Sequence, residues 1–270
     1  MTVAAPRGSR SSSGSGDALA SVTNALRLLK SFSYDTRVIG ASEAARRLGI
    51  AKSSAHRLLA TLAAEGFLER LPGGQYRLGI TLWELGSRMI HGIEIRDVAH
   101  PVLEALRNRT NETVHLARLD GNEVVYLDRF ESQATLRLFN RVGTRNWAHC
   151  TSSGKAILSV SPDELVEQVL ALGLPRMTPR TITSRSALLD ALAKGRERGY
   201  VISLEESEIG VNSVGAPVFD HRGVPVAAVS VAGPSPRLTV EKLPRVGRLV
   251  REAAATISER LGYRADADPH

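Results

Sequence analysis

Apolar residues recur every three to four positions through much of the first 90 residues, the spacing that places side chains on one face of an α-helix. A first helix is predicted from about Ala18 to Phe32. Its buried face is predicted to hold Val22, Ala25, Leu26 and Leu29. This helix should pack beneath the elements that follow it.

Two closely spaced helices come next. Ser42 is predicted to cap the start of the shorter one, and Gly49 supplies the left-handed position that ends it. The second runs from about Lys52 to Glu65, and Gly66 ends it. Its buried face should hold Ala55, Leu58, Leu59 and Leu62.

A small β-hairpin is predicted after these helices. Residues 67–70 and 75–78 read as strands on either side of Pro72-Gly73-Gly74, which is a turn signal. Helix, tight turn, helix and hairpin is the order of a winged helix-turn-helix, whose second helix enters the major groove of DNA.

The polar face of the second helix supplies candidate DNA contacts. Lys52, Ser53, His56 and Arg57 carry donors that reach base edges and phosphates. Phosphate contacts are expected from Arg46, Arg47 and Arg77, and the candidate set also includes Ser42 and Ser54. A polar face that meets only solvent is the alternative.

The distribution of charge favours DNA binding. Residues 1–90 hold 12 Lys and Arg against 6 Asp and Glu, whereas residues 91–270 hold 23 against 22. The basic excess therefore lies in the helix-turn-helix third, as a phosphate-binding surface requires.

The rest of the chain mixes helices and strands without regular βαβ repeats, which predicts an α+β domain. The predicted strands are 113–119, 124–130, 134–139, 200–204, 211–219 and 224–232. The predicted helices are 95–109, 152–160, 184–198 and 239–261. A further helix should start at Ser161-Pro162-Asp163-Glu164, with Ser161 as its cap.

These patterns divide the chain into a tail at 1–17, a winged helix-turn-helix domain at 18–80, a linker helix at 81–93, a second domain at 94–264 and a tail at 265–270. The N-terminal tail is rich in Ser, Gly and Arg and is predicted to be disordered. In the linker helix, Leu82, Leu85 and Met89 should be buried.

Composition excludes several classes of protein. Cys150 is the single cysteine, so neither a disulfide framework nor a thiolate metal cluster can form. The seven histidines show no metal-ligand spacing, and no cofactor is expected. The absence of a membrane-length apolar run and of a signal peptide leads us to expect a cytoplasmic protein.

Several segments of the chain resemble the IclR family of bacterial transcriptional regulators, in the family's order. ASEAARRLGIAKSSAHRLLATLAAEGFLER resembles its helix-turn-helix, and YRLGITLWELG resembles its wing exit and linker helix. HCTSSGKAIL, RERGYVISLEE and GVNSVGAPVFDHRGVPVAAVSVAGPSPR resemble the signature of its effector domain. The resemblance implies a GAF-like effector domain, homodimers or dimers of dimers, and DNA binding controlled by a small metabolite.

The resemblance also implies which residues line the effector pocket: Ser152, Ser153, Gly154, Ser203, Ser213 and Ser230. Hydroxyl groups beside a helix N-terminus favour a small carboxylate, and no cationic side chain is evident among these positions. The chain departs from the family pattern at Asn24, Ser203, Ser213 and Ala232, so the ligand is not inferred from better-known relatives.

Three segments could instead indicate an enzyme. Thr151–Lys155 lacks both the first glycine and the final Ser/Thr of a phosphate loop, and Gly210–Gly215 has the wrong spacing for a nucleophile elbow. Glu205 and Glu206 are adjacent on a strand and should point to opposite faces, so they are expected to be loop charges or subunit contacts.

The sequence therefore predicts a DNA-binding regulator that responds to a small organic acid and recognises a pseudo-palindromic operator, with repression favoured over activation. The alternatives are a small-molecule enzyme or sensor with a basic interaction arm, and a purely structural dimer.

Overall fold

The computed structural model describes residues 19–33, 35–91, 94–134 and 141–264, without the side chains of residues 87–94. The two predicted tails lie outside the described residues, as do the side chain of Met89 and most of the predicted strand 134–139. The chain divides into two compact units, Met1–Gly92 and Ile93–His270.

The N-terminal unit contains four helices and a three-stranded antiparallel sheet in the order β1-β3-β2. Its elements are α1 (Ala20–Lys30), β1 (Ile39–Gly40), α2 (Ala41–Leu48), α3 (Lys52–Ala64), β2 (Leu68–Leu71), β3 (Gln75–Leu78) and α4 (Ile80–His91). The two-residue strand β1 was not predicted. The order of elements is that of a winged helix-turn-helix.

The faces of α1 and α4 match the predictions only in part: Ala25 and Leu29 of α1 pack against the core as predicted. Leu28 is completely buried in the core of the N-terminal unit, whereas Val22 and Leu26 are 51% and 54% exposed. In α4, Leu85 is 45% exposed and Trp83 is 70% exposed, so the prediction of a buried Leu85 was wrong.

The C-terminal unit is an α+β domain of the GAF-like type, built on a six-stranded antiparallel sheet in the order β6-β5-β4-β9-β8-β7. Its strands are β4 (Thr113–Asp120), β5 (Glu123–Phe130), β6 (Arg145–Trp147), β7 (Val201–Leu204), β8 (Val211–Phe219) and β9 (Pro225–Pro234). Its helices are α5 (Glu94–Thr110), α6 (Ser152–Leu158), α7 (Asp163–Ala171), α8 (Arg185–Arg198) and α9 (Leu243–Arg260).

The two faces of this sheet pack against different helices. Val114 and Val229 belong to the cluster with Leu103 of α5 and Val250 of α9. The opposite face, which we call the α6 face, packs residues such as Ala228 against α6. Since successive residues of a strand point to opposite faces, each strand contributes alternate side chains to the α6 face.

Two predicted helix starts were wrong. Pro162, not Ser161, is the N-cap of α7, and the Ser161 hydroxyl donates to Ile157 O at 2.9 Å at the end of α6. The final helix begins at Leu243 rather than Thr239. The Ser161 hydroxyl was unavailable as a cap because the end of the preceding helix offered it an acceptor.

Candidate nucleic-acid interface and ligand site

Helix α3 presents a continuous polar face. All five predicted DNA-binding residues of this helix are exposed: Lys52, Ser53, Ser54, His56 and Arg57. Ala55 and Leu59 lie on the other side and are fully buried. Gly49 adopts φ 67° at the turn between α2 and α3, and so directs the chain from one helix into the next.

Ser42 occupies the second position of α2 and is exposed. It is not the cap of this helix, because the N-cap is Gly40 and no side chain caps the helix. The reason is that β1 pairs with β3 through Ile39 and Gly40 and leads directly into the first turn. The DNA-binding role predicted for Ser42 is separate from capping and stays a prediction.

The arginines of α2 are already engaged by an acidic residue. Glu43 accepts hydrogen bonds from Arg46 at 2.6 Å and from Arg47 at 2.6 Å. These hydrogen bonds hold the pKa of Glu43 at about 2, so its carboxylate stays ionised at neutral pH. Arg47 also donates to Ser31 O at 2.9 Å, and this ties α2 to the end of α1. A phosphate that contacts Arg46 or Arg47 must therefore compete with Glu43.

Arg77 of the wing has a similar partner. It lies opposite Glu69 in the β2–β3 ladder and pairs with it at 2.8 Å. Both side chains are more than half exposed, and exposed pairs of this kind contribute little to stability. The guanidinium can therefore leave Glu69 at small cost when a phosphate approaches.

The predicted serines of the sheet lie together on the α6 face. Ser203 and Ser213 are directly opposite each other on β7 and β8. Ser230 on β9 is two residues from Ala228, which packs against α6, so its side chain points to the same face. Ser203 and Ser230 are both buried, at 3% exposure. Ser203 donates to Cys150 O at 3.0 Å.

The first turn of α6 lies directly over β8. A Cβ added at Gly215 would come within 2.6 Å of Ser152 O and 2.9 Å of Ser153 N, so only glycine leaves room for this approach. Ser152 and Ser153 are both buried, at 2% exposure. Thr151 caps the helix by accepting from Gly154 N at 3.1 Å. This bond removes one of the free N–H groups on which a carboxylate at this helix end would depend.

Sequence reasoning missed two polar residues on the same face. His115 pairs with Ser230 across β4 and β9, and with Arg129 across β4 and β5. Its ring is 4.7 Å from that of Tyr126. Burial, together with the charge of Arg129, lowers the pKa of His115 to about 3, so its imidazole is neutral. Nothing in the sequence indicates that these residues share a face with Ser230, because only the strand register brings such distant positions together.

A buried ion pair lies beneath α6. Lys155 Nζ is 2.5 Å from Glu206 Oε1 and donates to Ile202 O at 2.9 Å. Glu206 follows β7 in a loop and not on the strand, as the loop-charge expectation had it, but its side chain is buried and pairs within the unit. Burial lowers the pKa of Lys155 and raises the pKa of Glu206. The sequence sign of this pair was a single lysine, Lys155, within a helix whose other residues are all uncharged.

The structure also explains why the phosphate-loop-like segment does not bind a nucleotide in the manner of that motif. A Cβ at Gly154 would lie 2.3 Å from Ala148 O, so the backbone here is packed against protein. Lys155 is held by Glu206 and is only 1% exposed. Neither group can cradle a phosphate in this arrangement.

In the ranges given above, no three His, Cys, Asp or Glu side chains group so as to hold a metal ion. Over the same residues, no helix combines the length and apolar character needed to cross a membrane.

A winged helix-turn-helix with an exposed basic helix, followed by a GAF-like domain, defines a DNA-binding transcriptional regulator. Residues 21–72 match the IclR helix-turn-helix domain, and residues 87–259 match the family described as bacterial transcriptional regulator IclR C-terminal. The chain belongs to the IclR family. Members of this family are regulators of transcription and not enzymes, and the same holds for this protein.

Individual relatives are similar over almost their whole length. The HTH-type transcriptional regulator XynR of Escherichia coli is 34% identical over 247 residues, which are 91% of this chain and 98% of the relative. The crystal structure of Thermotoga maritima IclR is 36% identical, with a TM-score of 0.75 over 90% of this chain and 98% of that one. An IclR homologue from Microbacterium hydrocarbonoxydans, complexed with 4-hydroxybenzoate, is 34% identical, with a TM-score of 0.80 over 89% of this chain and 98% of that one.

Proposed function

We propose that this regulator is a repressor that binds a pseudo-palindromic operator as a homodimer or dimer of dimers, and that a small organic acid bound on the α6 face changes its affinity for DNA. The observation that carries the proposal is the convergence of buried and partly buried polar groups on one face of the sheet: Ser203, Ser230 and His115, which are buried, with Ser213 and Arg129, which are partly buried. Convergent polar groups in a mostly apolar surround are typical of a small-molecule site.

An acid fits this face better than a neutral or cationic molecule. The Arg129 side chain is only 9% exposed. It pairs at 3.1 Å with Glu131, whose side chain is half exposed. A buried guanidinium favours a carboxylate ligand. The homologue complexed with 4-hydroxybenzoate supports an acid as the class of ligand, and the relative named HTH-type transcriptional repressor AllR, 34% identical over 226 residues, supports repression.

The class of effector can be tested with the whole protein. We expect carboxylates such as 4-hydroxybenzoate to raise the melting temperature and to alter operator binding in a gel shift, because a ligand must bind two conformations unequally to shift their equilibrium. Matched amides and amines serve as controls. A screen in which only neutral or cationic compounds stabilise the protein would refute an acidic effector.

The DNA interface is proposed to consist of the exposed α3 residues together with Ser42, Arg46, Arg47 and Arg77. Lys52→Ala combined with Arg57→Ala should weaken operator binding about 100-fold, and should lower the slope of log K against log salt by about two units, because two phosphate or base contacts are lost. Fluorescence anisotropy over a range of salt concentrations measures both quantities.

The matched control removes two exposed arginines from α9, Arg245→Ala with Arg248→Ala. This variant loses the same net charge outside the N-terminal unit, so its affinity and salt slope should stay close to those of the wild type. Equal losses in the two double variants would mean that α3 is not the recognition helix.

A further inference from the structure

The buried imidazole of His115 is a polar group on the α6 face whose role the fold itself does not explain. His115 is 1% exposed, and its buried Nε2 has no hydrogen-bond partner among the residues that the structure describes. An unpaired buried polar atom destabilises the fold, so such atoms are uncommon unless they bind a ligand or an ordered water. We therefore expect a hydrogen-bonding group of a ligand to bind at this nitrogen.

Strand geometry fixes where this imidazole points. His115 is two residues from Ala117, which packs with Tyr126 and Ala148 in the cluster on the α6 side. Its register partner Ser230 points the same way. The histidine and the serines consequently border the same space over the sheet.

The charges around His115 indicate which end of the ligand binds to this histidine. Burial, and then the charge of Arg129 directly opposite on β5, lowers the pKa of His115 and keeps the ring neutral. A neutral imidazole beside a guanidinium offers an N–H donor in a region of positive potential. Such a pair suits a carboxylate, because charge-assisted hydrogen bonds are stronger than neutral ones. Glu131 pairs with the same guanidinium, but its side chain is half exposed. It therefore neutralises the positive charge of Arg129 only on the side that faces solvent.

Ser213, with Ser203 opposite it on β7, marks the other end. Strands β4 and β8 lie two strand spacings apart, about 10 Å, which separates the backbone at His115 from the backbone near Ser213. A ligand that reaches both residues must therefore be elongated. Hydroxyl groups at this end match a neutral hydroxyl or carbonyl oxygen on the ligand.

We propose that His115 Nε2, together with Arg129, binds the carboxylate of the effector, and that Ser213 binds a neutral hydroxyl or carbonyl group at its opposite end, with Ser230 between the two. The effector is then an elongated hydroxy acid or oxo acid rather than a simple monocarboxylate. This assignment rests on the proposed function, since it names the chemistry of the same site. It places the carboxylate at β4 and β5 instead of at the first turn of α6.

The test compares two probes, 4-hydroxybenzoate and benzoate, by calorimetric titration of the full-length protein. His115→Phe keeps an aromatic ring and removes the nitrogen, so it should weaken both probes by a similar factor of about 10 to 100. Ser213→Ala should weaken 4-hydroxybenzoate alone, because benzoate lacks the hydroxyl that the serine binds.

Three outcomes contradict the assignment. If His115→Phe binds both probes as tightly as the wild type does, His115 does not contact the ligand. A loss confined to 4-hydroxybenzoate in His115→Phe reverses the orientation of the ligand. If the wild type binds matched amides or amines but neither probe nor any other carboxylate, the proposed effector class itself is contradicted, and that failure is visible before any variant is made.

A second measurement does not depend on a variant that folds. In the wild-type protein labelled with ¹⁵N-histidine, one Nε2 resonance should correspond to a neutral ring and should move when 4-hydroxybenzoate is added. If all histidine resonances stay fixed at a saturating probe concentration, the proposal is overturned, because that is the result expected of a purely structural His115.

Discussion

Replacing Lys155 with methionine is expected to destabilise the C-terminal unit by about 3–5 kcal/mol, which is the cost of breaking one side of a buried ion pair. Methionine keeps the length of the side chain and removes its charge, so the Glu206 carboxylate is left buried without its cation. In a domain of this size the loss corresponds to a fall in melting temperature of roughly 10 °C. Thermal unfolding followed by calorimetry measures it.

The double variant Lys155→Met with Glu206→Leu should recover most of the loss and lie within about 2 kcal/mol of the wild type. Burial lowers the pKa of Lys155 and raises the pKa of Glu206, so desolvation disfavours the charged form of both groups. Removing both charges together removes both desolvation costs. A double variant as unstable as Lys155→Met would show that the pair contributes more than it costs.

The same shifts fix the sign of the pH dependence. Glu206 binds its proton more tightly when folded, so its contribution to stability falls as pH rises from 4.5 through its raised pKa. Lys155 binds its proton less tightly when folded, so its contribution rises with pH from its lowered pKa up to 10.5. Both slopes should vanish in the double variant. Lys194→Met, which breaks an exposed pair with Asp190, is the control and should cost less than 1 kcal/mol.

The helix-turn-helix could be predicted from the sequence because its signals are local. Gly49 lies within a few residues of the helix that it ends, and Pro72-Gly73-Gly74 separates two strands that pair with each other. The face of α1 was harder to predict. Both Val22 with Leu26 and Ala25 with Leu28 fit a helical repeat, and only packing against the rest of the unit selects the buried pair.

The candidate ligand site was predicted only in part. The serines came from resemblance to a family, and the structure brings Ser203, Ser213 and Ser230 to one face. His115 could not be connected with Ser230 by any local pattern, because 115 positions separate them and the pairing of β4 with β9 depends on the order of all six strands. Lys155 and Glu206 were missed for a similar reason, since a lysine near a helix start looks like an exposed charge until the helix is seen to be buried.

Gly215→Ala is the second substitution with a large expected effect, because a single methyl group there would meet backbone rather than a movable side chain. The distances of 2.6 Å to Ser152 O and 2.9 Å to Ser153 N are too short for a Cβ, so either β8 or the first turn of α6 must move. The φ of Gly215 lies outside the left-handed region, and the conformation itself therefore tolerates alanine. Overpacking of a rigid contact costs about 1–3 kcal/mol, and we expect a loss at the upper end of that range.

The consequence should extend from stability to ligand binding, because Gly215 is the register partner of Ser230 and supports the turn that carries Ser152 and Ser153. We expect Gly215→Ala to lower the melting temperature and to weaken 4-hydroxybenzoate binding in titration, while operator affinity without ligand changes less than the response to ligand. Gly86→Ala is the matched control: a Cβ at Gly86 in α4 meets no described atom within 4 Å, and removing a glycine from a helix stabilises it by up to about 1 kcal/mol. If Gly215→Ala melts and binds the probe like the wild type, the close approach of α6 to β8 does not shape the site.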